Sequence, residues 1–129
     1  MSKPTQKDAE LMIRLHTLAH EMVESWNYIL ELEETNYKDF IKENPVGSDG
    51  WKHFLTIGSF FELVGVLVKY GTINEDLVFD CYYTAWDKLG PIVKGYQKDR
   101  ESPRWFENYE YLAKKKADWS KEHPPMFQQ

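Results

Sequence analysis

The fold is decided by residues 51–77, which read WKHFLTIGSFFELVGVLVKYGTINEDL. From Trp51 to Tyr70, apolar side chains occur at most angles around a helical axis, and such a helix has neighbours on most of its sides. Gly71 then supplies the left-handed residue that ends a helix, and Thr72 to Glu75 have the spacing of a capping box for the next helix, with Asn74 as the alternative cap. The stretch predicts a buried central helix over about 51–70, after which the chain reverses.

One narrow strip of this helix is not apolar and covers about 60° of its circumference at 100° per residue. The strip consists of Gly58, Glu62, Gly65 and Lys69. Two glycines one heptad apart let another backbone approach closely, and a carboxylate among apolar neighbours needs a partner that offsets its desolvation. We predict that Glu62 pairs with Arg100, or with Arg14, and holds two helices in register. A general base at Glu62 is the alternative.

Apolar stripes predict further helices on both sides of the central one. The first stripe falls within an arc of about 80° and predicts one amphipathic helix from about Gln6 to Glu33, with its apolar face toward the core. Its members are Leu11, Leu15, Leu18, Met22, Trp26 and Ile29. Residues 34–44 form either a separate helix or a kinked continuation. Later helices are predicted over about 72–89, 91–100 and 102–119, with a break at Gly90-Pro91.

Taken together, these patterns predict an all-α bundle of five or six helices around the central helix. The length of 129 residues fits one domain over 1–129. We expect order over about 6–119 and a flexible tail over 120–129, because the tail has little apolar pattern.

Composition limits the classes of function. Sixteen Lys and Arg against twenty-one Asp and Glu give a net charge of −5, which argues against nucleic acid as a partner, since binding it needs excess positive charge. The most apolar window, residues 54–68, is shorter than the roughly 20 residues of a membrane span. With a polar N-terminus and Cys81 as the single cysteine, the sequence predicts a cytoplasmic protein that does not enter membranes.

Several short motifs in one order resemble a known family. Phe60-Phe61-Glu62 is followed by Gly65-Val66, then by Lys69, Gly71 and Ile73, and then by Asp76-Leu77-Val78; Trp86, Pro91-Ile92 and Arg100 come later. This order, covering about 51–112, is similar to that of a family of small, all-helical bacterial and archaeal domains of unknown function. The resemblance implies an α-helical fold and no activity.

Two other groups of residues are candidate sites. His16, His20 and Glu24 are spaced i, i+4, i+8, as two imidazoles and a carboxylate around a metal ion would be. His20 and Glu24 turn toward the polar face, however, and the Glu-x-x-His pairs of carboxylate-bridged metal bundles are absent, so exposed histidines are the preferred interpretation. Cys81 lies in an apolar stripe, which predicts a buried, inert thiol. We predict no catalytic residue, metal or cofactor.

Aromatic residues make up 16% of the chain, with five Trp, eight Tyr and seven Phe. Most occupy core stripes, but some are predicted to be partly exposed, as at interfaces, where Trp and Tyr are favoured. These are Trp51, Tyr83, Trp86, Tyr111 and Trp119. The sequence therefore favours a non-enzymatic interaction or regulatory module that self-associates or binds a protein partner. The alternative is a small-molecule or metal-dependent enzyme built around Glu62 or around His16 and His20.

Overall fold

A computed structural model describes residues 3–127, and seven α-helices occupy 71% of them, with no strand in that range. The helices are α1 Gln6–Glu21, α2 Val23–Leu30, α3 Tyr37–Glu43, α4 Asp49–Lys69, α5 Glu75–Cys81, α6 Trp86–Asp99 and α7 Glu107–Glu122. The predicted all-α class is confirmed. The number of helices is seven rather than five or six because the predicted helix over 6–33 is broken at Met22 and residues 37–43 form a helix of their own.

The central helix is α4, as predicted. Ser48 caps it by accepting a hydrogen bond from the N–H of Trp51 at 3.3 Å, and Gly71, with φ +67°, follows its C-terminus. Its inner face carries much of the core, including Phe54, Ile57, Phe60, Phe61 and Val64. Helix α2 packs on one side of α4 and α7 on another, so most of the α4 circumference is enclosed.

Helix α4 is also the one helix within residues 3–127 that is long and apolar enough to cross a membrane. Half of its most apolar 18-residue window is buried inside the fold, and core helices of soluble proteins meet the same criteria. The composition of α4 is therefore explained by its central position.

The predicted continuous helix over 6–33 is wrong, because the chain breaks at Met22. The N–H of Met22 bonds to the carbonyl of Ala19, three residues back, at 3.1 Å, which tightens the last turn of α1. Helix α1 then packs against α5 while α2 packs against α4. No glycine or proline marks this break, so its position follows from the two packing partners.

Residues 34–44, left open by the sequence, form a separate helix. Asn36 caps α3 by accepting from the N–H of Asp39 at 2.9 Å. Helix α3 packs against α6 at Gly95, where a Cβ would lie 2.1 Å from the Cβ of Tyr37. The short polar segment before Asn36 thus lets the chain cross from α2 to α6.

The predicted break at Gly90-Pro91 is also wrong. Helix α5 ends at Cys81, residues 82–85 are not helical, and α6 runs from Trp86 through Pro91 to Asp99. Two side chains of α7 hydrogen-bond to backbone carbonyls of this connection. The Tyr109 hydroxyl donates a hydrogen bond to the carbonyl of Thr84, and the Lys116 ammonium donates one to the carbonyl of Tyr82. The break therefore occurs where α7 can satisfy the freed backbone groups.

The last helix begins later and ends later than predicted. Residues 103–106 form turns, Phe106 precedes the helix with φ +54°, and α7 continues to Glu122, beyond the predicted end at Trp119. His123 packs on Trp119, with ring centroids 4.3 Å apart. Residues 128 and 129 of the predicted tail lie outside the described part of the chain.

Candidate functional site

The carboxylate of Glu62 binds the start of α7. Its Oε1 accepts the backbone N–H groups of Asn108 at 3.0 Å and Tyr109 at 2.9 Å, and its Oε2 accepts the side-chain amide of Asn108 at 2.8 Å. These two backbone groups belong to the second and third residues of α7, whose N–H groups lack partners within the helix. Glu62 therefore acts as the N-terminal cap of a helix that is distant in sequence.

The residue at the usual cap position cannot do this. Phe106 has no hydrogen-bonding side chain and caps none of the first N–H groups of α7. A carboxylate supplied from α4 both satisfies two of these groups and places negative charge at the positive end of the α7 dipole.

The rest of the α4 strip also faces the start of α7. A Cβ on Gly65 would lie 2.1 Å from the carbonyl oxygen of Asn108, and a Cβ on Gly58 would lie 2.4 Å from the ring of Phe106. The Lys69 ammonium lies 3.5 Å from the side-chain oxygen of Asn108. The expected close approach of another backbone is confirmed at Gly65, and the strip is the surface on which α7 begins.

The predicted pair of Glu62 with Arg100, or with Arg14, is not formed within residues 3–127. Arg100 is exposed, with its Nε 3.7 Å from Asp99 Oδ2 and its guanidinium 5.5 Å from the ring centre of Tyr96. Sequence reasoning placed a charged partner beside Glu62, but backbone N–H groups fill that role. Because three donors hold the carboxylate in place, its geometry is that of a structural cap.

The candidate metal ligands do not converge. His16, His20 and Glu24 are all exposed, and the break at Met22 separates Glu24 from the two histidines. Within residues 3–127, no group of three or more His, Cys, Asp and Glu side chains is arranged to hold a metal ion. The spacing i, i+4, i+8 therefore does not produce a metal site in this fold.

The two histidines instead line a groove of about 390 Å³ beside the α5–α6 connection, which we name the 81–83 groove. It is lined by His16, Ala19, His20, Val23, Trp26, Cys81, Tyr82 and Tyr83. The predicted burial of Cys81 is wrong: the thiol is exposed, because α5 ends at this residue and does not carry it into the core.

The two tyrosines of this groove are poor acids and bases at neutral pH. Partial desolvation, followed by the hydrogen bond to Asp87, raises the pKa of Tyr83 to about 12. Burial also raises the pKa of Tyr82, whose hydroxyl is buried and has no hydrogen-bond partner within residues 3–127. Both phenols stay protonated, so neither supplies a nucleophile.

Of the five aromatic residues that were predicted to be partly exposed, four are at least partly accessible to solvent. Tyr83 is 48% exposed, and Trp86, Tyr111 and Trp119 are partly buried. Trp51 is the exception and is buried between Phe40 and Trp105, with ring centroids at 6.5 and 6.3 Å. The aromatic side chains therefore pack mostly in the core.

A second concave surface lies between α1 and α4, and sequence reasoning missed it. This α1–α4 groove has a volume of about 420 Å³. It is lined by Leu18, Met22, Leu55, Thr56, Ser59, Phe60 and Leu63. Leu18, which was predicted to face the core, is 46% exposed, and Leu63 is 45% exposed. One apolar arc of α4 thus lacks a neighbour within residues 3–127. The apolar residues at most angles around α4 were the sequence signal that could have revealed this surface.

Comparison with protein families gives one finding that bears on identity. The family model described as Domain of unknown function (DUF4760) matches residues 4–119 of the chain. No significant match is found among curated proteins or among solved structures. The match confirms the expected resemblance to a family of small helical domains without an assigned activity.

Proposed function

Because the chain belongs to the DUF4760 family, a domain of unknown function, we propose a role from its geometry: a non-enzymatic protein-interaction module that uses the α1–α4 groove as its contact surface. The proposal rests mainly on the open arc of α4. A helix with apolar residues around most of its circumference normally has neighbours on most of its sides, and Leu63 on this arc is 45% exposed.

The shape and composition of the groove support this role. The groove is lined by the exposed Leu18 and Leu63, by the buried Phe60, and by the small residues Thr56 and Ser59. Contiguous exposed apolar surface of this kind typically marks a site of protein association. The small side chains leave room for a helix or a loop of the partner to approach α4.

Other observations favour binding over catalysis. Glu62 is held by the N–H groups of α7, and the histidines of α1 are exposed without a third ligand nearby. A net charge of −5 favours a protein partner over a nucleic acid. The proposal includes one helical domain located in the cytoplasm, where an exposed thiol such as Cys81 stays reduced.

Site-specific photo-crosslinking in the cells that make the protein tests the proposal. A photo-reactive amino acid at position 63 should give a covalent adduct with another protein chain, because Leu63 lines the groove and is 45% exposed. Val46, which is 55% exposed in the loop before α4, is the matched control and should give no adduct. Equal yields at both positions, or none at position 63, would refute the proposed contact surface.

A further inference from the structure

Two charged residues bracket the exposed leucine of α1. Arg14, Leu18 and Glu21 are spaced i, i+4, i+7 and therefore lie on one face of the helix, with the opposite charges about two turns apart. All three are exposed. Within residues 3–127, neither Arg14 nor Glu21 forms an ion pair. The exposed face of α1 around Leu18, which itself lines the groove, thus presents one free positive and one free negative charge on either side of an apolar residue.

This arrangement is complementary to itself. If two copies of α1 pack antiparallel about a two-fold axis near residues 17 and 18, Arg14 of each copy lies opposite Glu21 of the other. Leu18 of each copy then lies at the axis. A two-fold interface uses the same patch on both subunits, so each favourable contact occurs twice.

We propose that the occupant of the α1–α4 groove is a second copy of this chain, held antiparallel by two Arg14–Glu21 pairs around a centre formed by Leu18 and Leu63. This inference rests on the proposed function and specifies its partner. An occupant with a single sign of charge would pair with only one of the two residues and would face repulsion from the other. The second copy pairs with both.

Charge-reversal variants test the arrangement by sedimentation velocity, from micromolar to near-millimolar protein. The wild-type chain is expected to dimerise. Arg14→Glu and Glu21→Arg should each weaken the dimer by roughly tenfold or more, because both symmetric pairs become repulsive. The double variant restores both pairs in reversed order and should return to within about threefold of wild type. An equimolar mixture of the two single variants should likewise form a mixed dimer.

The matched control is Glu24→Arg, which reverses an exposed charge on another face of the same region and should leave the dimer unchanged. Circular dichroism of each variant confirms that it is folded. A monomeric wild type, or single variants that dimerise as well as the wild type, would overturn the inference.

The mass of the adduct formed at position 63 separates this inference from the proposed function. An adduct of twice the chain mass supports both. An adduct with a different protein, together with a monomeric wild type, overturns the second copy but leaves an interaction module. The absence of any adduct removes the proposed function itself.

Discussion

Replacing Glu62 is the strongest test of how this fold is held together. Glu62→Ala removes the only acceptor that residues 3–127 give to the N–H groups of Asn108 and Tyr109, which bond to Oε1 at 3.0 and 2.9 Å. Glu62→Gln keeps one oxygen at the same place but removes the charge. Comparison of the two variants separates the two backbone hydrogen bonds, which the remaining oxygen can keep, from the charge and the contact of Oε2 with the Asn108 side-chain amide.

The expected loss follows from the burial of each donor. Tyr109 is fully buried, so its N–H cannot turn to water, and an unsatisfied buried donor costs about 2 kcal/mol. Asn108 is only partly buried and can be rehydrated, so the rest of the cap adds about 1 kcal/mol. Glu62→Ala should therefore lower the free energy of unfolding by about 3 kcal/mol, which corresponds to a fall in Tm of roughly 10 °C for a chain of this length. Glu62→Gln should cost about 1 kcal/mol through the lost charge and the lost acceptor for the Asn108 side-chain amide.

Urea denaturation followed by tryptophan fluorescence measures these free energies, with Lys52→Ala as the control. Lys52 is an exposed residue of the same helix, and its replacement should change stability by less than about 0.5 kcal/mol. Amide hydrogen exchange adds a local measurement, because exchange should accelerate at residues 108 and 109 before it does so elsewhere. A Glu62→Ala variant that is as stable as Lys52→Ala would refute the capping role.

Three further substitutions probe other parts of the fold. Gly65→Ala places a methyl group against the carbonyl of the α7 start and should destabilise by about 1–3 kcal/mol in thermal melts, whereas Ser59→Ala on the exposed face of α4 should change little. Tyr82→Phe removes a buried hydroxyl without a partner in residues 3–127 and should leave stability unchanged or raise it by up to about 1 kcal/mol in urea titrations. Hydrogen bonds from the N–H and hydroxyl of Thr5 lower the pKa of Asp8, despite the opposite effect of burial. The stabilisation is therefore present above the unfolded pKa of about 3.9 and is lost as pH falls through the lower folded value. Denaturation midpoints between pH 2 and pH 6 should fall less steeply for Asp8→Asn than for the wild type; equal slopes would contradict the assignment.

Local signals predicted the central helix well. The predicted range 51–70 and the observed range Asp49–Lys69 differ by at most two residues, because a serine cap and a glycine stop act within one turn of the chain. The strip with Gly58 and Gly65 was predicted to receive a neighbouring backbone, and it does so. The signals for these features come from residues that are close together in the chain, so they can be read from the sequence alone.

Features that depend on distant partners were missed. The break at Met22 has no local sequence signal. At the break over residues 82–85, freed backbone carbonyls accept hydrogen bonds from Tyr109 and Lys116 of α7. Gly90-Pro91 has the strongest local signal for a break, yet α6 continues through it. In each case tertiary contacts outweighed the local conformational preference of the residues concerned. Even for a proline inside a helix, that preference amounts to about 3 kcal/mol relative to alanine.

The candidate site divides in the same way. Glu62 was identified from its position among apolar neighbours, but its partners are backbone groups, which carry no signature in the sequence. The exposure of Leu18 was hidden because a periodic stripe gives the direction of a helix face, not whether that face is covered.

By itself, the amino-acid sequence determined that this chain is helical, where its central helix begins and ends, and that Glu62 needs a partner. Those properties follow from periodicity, capping and desolvation, which operate within a few residues. Only the tertiary structure decided that Glu62 caps α7, that Cys81 is exposed, and that an arc of α4 remains open beside Leu18. Contacts between distant segments set these outcomes, because each helix could bury its apolar face in several ways and the packed fold selects one.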